Sequence, residues 1–205
     1  APLTDLPVFV DEDMRLLLRS RVWAGMSPEE YLVAVSPGVY GYGGPETLVV
    51  RGEPYAGCDG CAGQFRWTVK VPHEEAAVHR MMEQVAAWGG AEAYLDRVLR
   101  RDPEAMDIYR RVVENYGWRL AHIANTYNPN TILVYSPYAP LGADFVEAVS
   151  GVMKQQAHPV VCERLHVELG GDRTDRERLI AAGIPVLSRV FEDGLLVSPR
   201  RVRVR

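Results

Sequence analysis

Two cysteines and two histidines have the most recognisable chemical spacing in the chain. Cys58 and Cys61 form a C-x-x-C pair, and His73 and His79 follow at intervals close to those of a zinc finger. Thiolate and imidazole groups suit tetrahedral zinc, and a dithiol at this spacing also undergoes redox chemistry. The histidines begin an apolar-periodic helix that lacks the basic residues of a DNA-reading finger. Two interpretations stay open, a zinc set and a pair of free thiols in a glycine-rich loop.

A glycine-rich stretch covers residues 36–45, with the sequence SPGVYGYGGP. Glycines allow a backbone to approach a phosphate closely. The spacing fits neither the Walker pattern nor the dinucleotide fingerprint, and Pro37 removes an N–H donor that a phosphate site would use. The stretch is therefore either a degenerate phosphate loop or a simple turn.

Charged residues cluster at both ends of the chain. The acidic run 11–13 follows a predicted strand at 6–10, where a carboxylate in an α/β sheet meets ligands and can accept a proton from a hydroxyl. The alternative is a solvated first helical turn, in which acids interact favourably with the helix dipole. The other end is a basic tail that either contacts phosphates or is a frayed terminus, formed by Arg200, Arg201, Arg203 and Arg205.

Composition limits the class of protein. The 205 residues are 47% hydrophobic and 24% charged, which suits a globular core and excludes a fibrous or largely disordered chain. The net charge of −4 does not indicate a nucleic-acid-binding face. Three cysteines cannot all pair with one another, and neither a membrane-length apolar run nor a signal-peptide pattern is visible. We expect a cytoplasmic protein without a membrane partner.

The apolar pattern predicts one α/β domain over residues 1–205. It is strand-rich over 1–72, helical over 73–127, and alternates strand and helix over 128–205. Asp102 followed by Pro103 predicts the start of a long helix that Asn128 ends. Strands are predicted at 6–10, 31–35, 47–50, 65–71, 131–135 and 160–167, with one or two more within 184–197; further helices are predicted at 12–22, 145–155 and 175–182.

Several segments, taken in order, resemble the repressor, open-reading-frame and kinase (ROK) family. Residues 6–13, LPVFVDED, look like the family's L-P-V-x-V-E-N-D segment, and residues 51–63 match its D-G, G and A-G spacing. Residues 31–43 lie where the family has a strand and a G-T-G-x-G phosphate loop. Residues 90–94 look like the end of its G-C-L-E-A-Y segment, and the stretch from Asp102 through Asn128-Pro129 resembles its long helix and N-P-E-x-I-V-x-G-G turn. The resemblance covers roughly residues 5–185.

This resemblance implies an actin-like ATPase (ribonuclease H-like) lobe, with a mixed sheet flanked by helices. The matching region begins in the family's second domain. The first lobe, and the winged helix-turn-helix of the family's regulators, are not matched within these 205 residues. We therefore expect this chain to be a fragment or an unusual half-protein.

On the sugar side, the resemblance implies a ligand set with substitutions. Asp13 matches the family's catalytic base, Glu12 stands where a sugar-binding asparagine is expected, and Glu92 matches the sugar-binding glutamate of G-C-L-E. The family's E-x-G-H pair reads Gln64-Phe65-Arg66-Trp67. The expected ligand-binding residues are Asp13, Gln64, Trp67 and Glu92. Trp67 either offers a flat face to a sugar ring or fills the space left by the histidine and its zinc.

On the nucleotide and metal side, the departures are larger. The phosphate loop reads Ser36-Pro37-Gly38, and the later Gly-Gly reads Tyr135-Ser136. The family's zinc cysteines do not appear between residues 67 and 92. We therefore expect no nucleotide and no resident metal, with Cys58, Cys61, His73 and His79 as the alternative zinc set.

These observations predict the effector-sensing, dimerising domain of a ROK-like transcriptional regulator that has lost its ATP and zinc sites. The expected partners are a sugar or sugar derivative and a second copy of the chain, with DNA bound only by a segment outside it. The alternative is a sugar kinase, or a divergent relative, that uses Asp13 as base. A third possibility is a purely oligomerising domain, in which the apolar helix at 103–127 builds the dimer face.

Overall fold

The computed structural model describes residues 11–23, 25, 30–41, 43–63, 72–170 and 175–192. Within these residues a five-stranded mixed sheet has the order β3-β2-β1-β4-β5. Strands β1, β4 and β5 are parallel, whereas β2 pairs antiparallel with β1 and with β3. The strands are β1 (Leu32–Val35), β2 (Glu46–Val50), β3 (Glu53–Pro54), β4 (Thr131–Val134) and β5 (His166–Leu169).

Helices cover both faces of this sheet. They are α1 (Asp13–Trp23), α2 (Pro72–Ala87), α3 (Ala91–Leu99), α4 (Pro103–Tyr127), α5 (Ala143–Gln156), α6 (Pro159–Cys162) and α7 (Asp175–Glu192), with a 3-10 turn at Ala139–Leu141. The mixed sheet flanked by helices confirms the predicted α/β class.

The side chains of β1 alternate between two cores. Val33 and Val35 lie in a core with residues of α2 to α5, whereas Leu32 and Ala34 lie in a second core with residues of α1 and α7. All four residues are buried because successive side chains of a strand point to opposite faces and helices cover both. The strand therefore reads as a continuous apolar run.

Helix α4 begins and ends where the sequence predicts. The Asp102 carboxylate accepts a hydrogen bond from the Ala105 N–H at 3.1 Å, and Pro103 occupies the first turn. Asn128 ends the helix in a left-handed conformation with φ 46°. Its apolar side, including Ile108, Val112 and Leu120, is buried in the core, so this face is not available as the dimer surface suggested above.

Two predictions near the C-terminal end are wrong. The strand predicted at 160–167 begins only at His166, because Pro159 starts the short helix α6 and the His158 ring nitrogen accepts the Val160 N–H. The strands predicted within 184–197 are replaced up to Glu192 by α7, which packs Ala181 against α1. Residues 193–197 and the strands predicted at 6–10 and 65–71 lie outside the described residues.

The glycine-rich loop gives a matched pair of substitutions. At Gly44 (φ +80°) a Cβ atom would lie 2.0 Å from the Ser36 carbonyl oxygen, whereas at Gly43 (φ +64°) it would have nothing within 4 Å. We predict that Gly43→Ala costs about 1 kcal/mol of unfolding free energy from its positive φ alone. Gly44→Ala should cost about 3 kcal/mol, because overpacking is added to the same strain. Urea unfolding measures the unfolding free energy of both variants. Equal losses in the two would contradict the close approach of Gly44 to Ser36.

Candidate functional site

Three parallel strands end together at one edge of the sheet. The residues that follow them are Ser36, Tyr135 and Gly170; the Tyr135 N–H donates to the Val35 carbonyl at 2.9 Å, and the Gly170 N–H donates to Val134 at 3.0 Å. Open α/β sheets bind ligands at the carboxyl ends of their strands. The structure therefore brings together the two segments that the resemblance assigns to the nucleotide side.

Side chains from α4 and from the segment after β4 hold the glycine-rich loop by its carbonyl groups. The Tyr116 hydroxyl lies 3.1 Å from the Pro37 carbonyl oxygen, and the Tyr138 hydroxyl donates to the Val39 carbonyl at 2.6 Å. Arg119 donates to the carbonyls of Gly43 and Gly44. A phosphate site needs backbone N–H groups that point toward the ligand. In this loop the carbonyl groups instead accept hydrogen bonds from the side chains of Tyr116, Tyr138 and Arg119.

Tyr135 occupies the position where the resemblance expects a glycine. Its ring packs directly on Gly170, since a Cβ atom on Gly170 would lie 2.5–2.6 Å from ring atoms of Tyr135. The neighbouring Ser136 hydroxyl is 3.0 Å from the Tyr116 hydroxyl, which ties this segment to the glycine-rich loop. The Tyr135 ring therefore fills the space beside Gly170, and the expected absence of a nucleotide stays a prediction.

A group of buried tyrosines connects the loop to α3. The Tyr138 hydroxyl is 3.2 Å from that of Tyr94, and their rings meet edge to face at 6.3 Å. Burial raises the pKa of the Tyr116 and Tyr138 hydroxyls well above the usual range, so both remain protonated donors at neutral pH. Tyr94 thereby anchors the helix whose first turn carries Glu92, an exposed residue.

The acidic run surrounds the start of α1. Arg15 is buried and pairs its Nε with Asp11 Oδ1 at 2.6 Å, and its Nη1 donates to the Gly60 carbonyl at 2.8 Å. This arginine therefore connects the helix to the loop that carries the cysteines. Burial and the adjacent carboxyl of Asp13 raise the pKa of Glu12. Asp13 itself is the exposed first residue of the helix.

The expected ligand residues are only partly described. Asp13 and Glu92 are both exposed in the first turns of their helices. Gln64 and Trp67 lie outside the described residues. The grouping of these four side chains around one ligand stays a prediction.

The cysteine and histidine set is not assembled among the described side chains. Cys58 and Cys61 are exposed free thiols in a loop that the Ala62 N–H closes onto the Ala56 carbonyl at 3.1 Å. His79 lies 3.3 Å from Glu83 on the same helix, and the His73 side chain is outside the described part. Among described residues, no three His, Cys, Asp or Glu side chains gather as a metal site. The zinc alternative stays a prediction.

Sequence reasoning missed a buried ion pair. Arg119 Nη2 lies 3.7 Å from Glu46 Oε2, and both side chains are at most 5% exposed. The Tyr127 hydroxyl donates to Glu46 Oε1 at 2.9 Å. The sequence does contain a sign of the pair, because Arg119 falls three residues after Tyr116 on the apolar side of α4. Its partner Glu46 has no comparable pattern around it.

The sheet order and the loop at its carboxyl edge define an α/β lobe of the actin-like ATPase fold. Comparison with solved structures narrows this class, since the chain has the fold of ROK proteins. A ROK family transcriptional regulator, homologous to the E. coli MLC protein, superposes with a TM-score of 0.71 at 21% identity. The match covers 95% of this chain and 55% of the regulator, so this chain spans about half the regulator's length.

Other ROK structures agree with this fold. A Streptococcus pneumoniae ROK protein in complex with sucrose has a TM-score of 0.68 at 17% identity, covering 91% of this chain and 68% of that one. A Streptomyces griseus ROK glucokinase in complex with glucose and AMPPNP has a TM-score of 0.63 at 14% identity, covering 86% and 67%. The expected ROK resemblance is thereby confirmed at the level of the fold. No family model and no curated protein sequence matches the chain.

No helix in the described part of the chain is long and apolar enough to cross a membrane.

The pKa values of two carboxyl groups are shifted in opposite directions, so their contributions to protein stability should depend on pH with opposite signs. Burial raises the pKa of Glu46 above its ordinary value of 4.5, although Tyr127 and Arg119 oppose this shift. The folded state therefore holds this proton more tightly than the unfolded chain does. The unfolding free energy of the wild type should fall relative to that of Glu46→Gln as the pH rises above 4.5.

The pKa of Asp11 is shifted in the opposite direction, so this residue serves as the control. Burial alone would raise its pKa, but hydrogen bonds from Arg15 and from the Glu12 N–H lower it below 3.8. The stability of the wild type relative to Asp11→Asn should therefore be lost as the pH falls below 3.8. Urea unfolding between pH 3 and 7 measures both differences. If the unfolding free energies of Glu46→Gln and the wild type changed with pH in parallel, the raised pKa assigned to Glu46 would be contradicted.

Proposed function

We propose that the chain is the effector-sensing and dimerising domain of a ROK-like transcriptional regulator. The observation that carries this proposal is the packing of Tyr135 on Gly170, at a position where the family resemblance expects a phosphate-binding glycine. Phosphoryl transfer depends on positioning and charge stabilisation of the phosphoryl group. A retained ROK fold with an obstructed nucleotide side favours ligand sensing over kinase chemistry.

The proposed effector is a sugar or a sugar derivative. The exposed carboxylates of Asp13 and Glu92 can accept hydrogen bonds from sugar hydroxyls, and Gln64 and Trp67 complete the proposed set. The similar S. pneumoniae protein was solved with sucrose, which supports this class of ligand. In this proposal DNA is bound by a segment outside these 205 residues, the protein is cytoplasmic, and neither nucleotide nor resident metal is required.

A binding experiment on the 205-residue chain tests the effector. Thermal shift should report stabilisation by a hexose, an N-acetylated sugar or a phosphosugar, and none by ATP with magnesium. A ligand at a hundredfold excess over its dissociation constant stabilises the folded state by about 2.7 kcal/mol. Asp13→Asn should abolish the sugar shift, while Asp107→Asn, at an exposed aspartate of α4, should retain it.

The sugar kinase is the competing result of this experiment. ATP-dependent phosphorylation of a hexose that Asp13→Asn abolishes would overturn the proposal and assign Asp13 as base. A stabilising shift with ATP would likewise place the kinase first.

The proposed dimer surface lies on α7. Ile180, Leu187 and Phe191 are 54%, 49% and 70% exposed, and their spacing of seven and four residues puts them on one side of the helix. Exposed apolar stripes of this kind are typical of protein interfaces. We assign this stripe to contact with a second copy of the chain.

Light scattering tests the dimer. Leu187→Glu should shift the wild-type dimer toward monomer, because it places a charge in the apolar stripe. Val160→Glu, at an apolar residue of α6 that is 64% exposed, is the matched control and should leave the mass unchanged. A monomeric wild type at high concentration, or a dimeric Leu187→Glu variant, would contradict the assignment.

A further inference from the structure

The loop that carries Cys58 and Cys61 lies at the surface beside the start of α1. Both thiols are exposed and free, and the proposed effector and dimer surfaces use neither of them. A dithiol of this spacing can exchange with disulfides, provided that its two sulfur atoms can reach each other. The conformation of the loop therefore decides whether the pair can react.

Backbone contacts close the loop on both sides of the two cysteines. The Ala62 N–H donates to the Ala56 carbonyl at 3.1 Å. A Cβ atom on Gly57 would lie 3.2 Å from the Cβ atom of Ala62, so these two residues already face each other. The chain therefore reverses direction inside these contacts, and the two cysteines form the next facing pair toward the tip of the loop.

This reversal suits a disulfide. A chain that reverses over four residues brings its first and last Cα atoms within about 7 Å, and a disulfide joins Cα atoms that are about 4.4–6.8 Å apart. The Cys61 thiol points back along the turn, because its S–H donates to the Asp59 carbonyl oxygen at 3.8 Å. Gly60 has φ +80°, which glycine adopts without steric cost, so the turn closes without backbone strain at this residue.

A buried arginine holds the tip of the loop in place. Arg15 Nη1 donates to the Gly60 carbonyl at 2.8 Å, and Arg15 Nε pairs with Asp11 at 2.6 Å. Because Arg15 is only 6% exposed, this contact ties the loop to the body of the protein. A fixed loop keeps the two thiols near each other without the entropy cost that a flexible chain pays to bring its ends together.

We propose that Cys58 and Cys61 form a reversible intramolecular disulfide by exchange with a small-molecule disulfide of the glutathione class. One cysteine thiolate attacks a sulfur atom of oxidised glutathione, which gives a mixed disulfide and releases one reduced glutathione. The second thiolate then attacks the mixed disulfide, forms the bond between the two cysteines and releases the second glutathione. Two electrons pass from the protein to glutathione, and the two thiol protons end on the released molecules.

This reaction goes beyond the proposed function, because it requires neither the effector residues Asp13 and Glu92 nor a second copy of the chain. The two proposals can therefore fail separately.

Equilibration with glutathione tests the disulfide. The 205-residue chain is incubated in mixtures of reduced and oxidised glutathione, its free thiols are alkylated, and it is digested with trypsin. One tryptic peptide, residues 52–66, contains both cysteines; after oxidation it should carry no alkyl group and be about 2 Da lighter than its sequence mass. Folding should raise the equilibrium constant for oxidation at least about tenfold over that of the same chain in concentrated urea, because the folded loop holds the thiols together.

Two glycine variants test the geometry of the loop. Gly57→Ala should lower the equilibrium constant at least about threefold, because the reduced loop can open to relieve the contact with Ala62, whereas the disulfide holds it closed. Gly43→Ala, also at positive φ but with nothing within 4 Å of the added Cβ atom, is the matched control and should keep the wild-type constant. Circular dichroism confirms that each variant is folded.

Three cysteine variants separate this reaction from its alternatives. Cys58→Ser and Cys61→Ser should each stop at the mixed disulfide with glutathione, whereas Cys162→Ser, at the third cysteine, should oxidise like the wild type. Equal constants in the folded and unfolded chain, a wild type that stops at the mixed disulfide, or a folded Gly57→Ala variant that oxidises like the wild type would overturn the proposal. Stoichiometric zinc held by the two thiols in the purified chain would overturn it in favour of a metal site.

Discussion

The carbonyl groups of the glycine-rich loop need hydrogen-bond donors, and α4 supplies them. A buried carbonyl without a partner costs free energy comparable to a lost hydrogen bond. Tyr116 and Arg119 lie one turn apart on the helix and reach opposite ends of the loop. Because Arg119 is itself buried, it requires the carboxylate of Glu46 at the start of β2. The loop, the helix and the antiparallel part of the sheet therefore form one connected unit.

The hydrogen bonds that hold the glycine-rich loop also shape the carboxyl edge of the sheet. A loop held by its carbonyls is a fixed structural element, and the ring of Tyr135 on Gly170 occupies the adjoining space. The chain has the fold of the ROK proteins, with the Tyr135 ring packed on Gly170 at the carboxyl edge of the sheet.

A second arginine, Arg15, organises the start of α1. Arg15 joins Asp11 to the Gly60 carbonyl, and so fixes the cysteine loop against the first turn of α1. Asp13 remains exposed beside this pair. The glycine-rich loop is thus held by hydrogen bonds from side chains, whereas the Asp13 side chain is exposed.

The sequence by itself determined the α/β class, most element positions and the capped helix α4, because periodicity, caps and turn residues act over a few positions. It also identified the departures at Pro37 and Tyr135, since a residue's type is visible without its surroundings. Only the tertiary structure decided that α7 extends through Pro185, that Tyr135 packs on Gly170, and that Arg119 pairs with Glu46. These outcomes depend on which distant segments meet in the folded chain. Their energies come from burial and hydrogen bonding between residues far apart in sequence, and local spacing does not encode them.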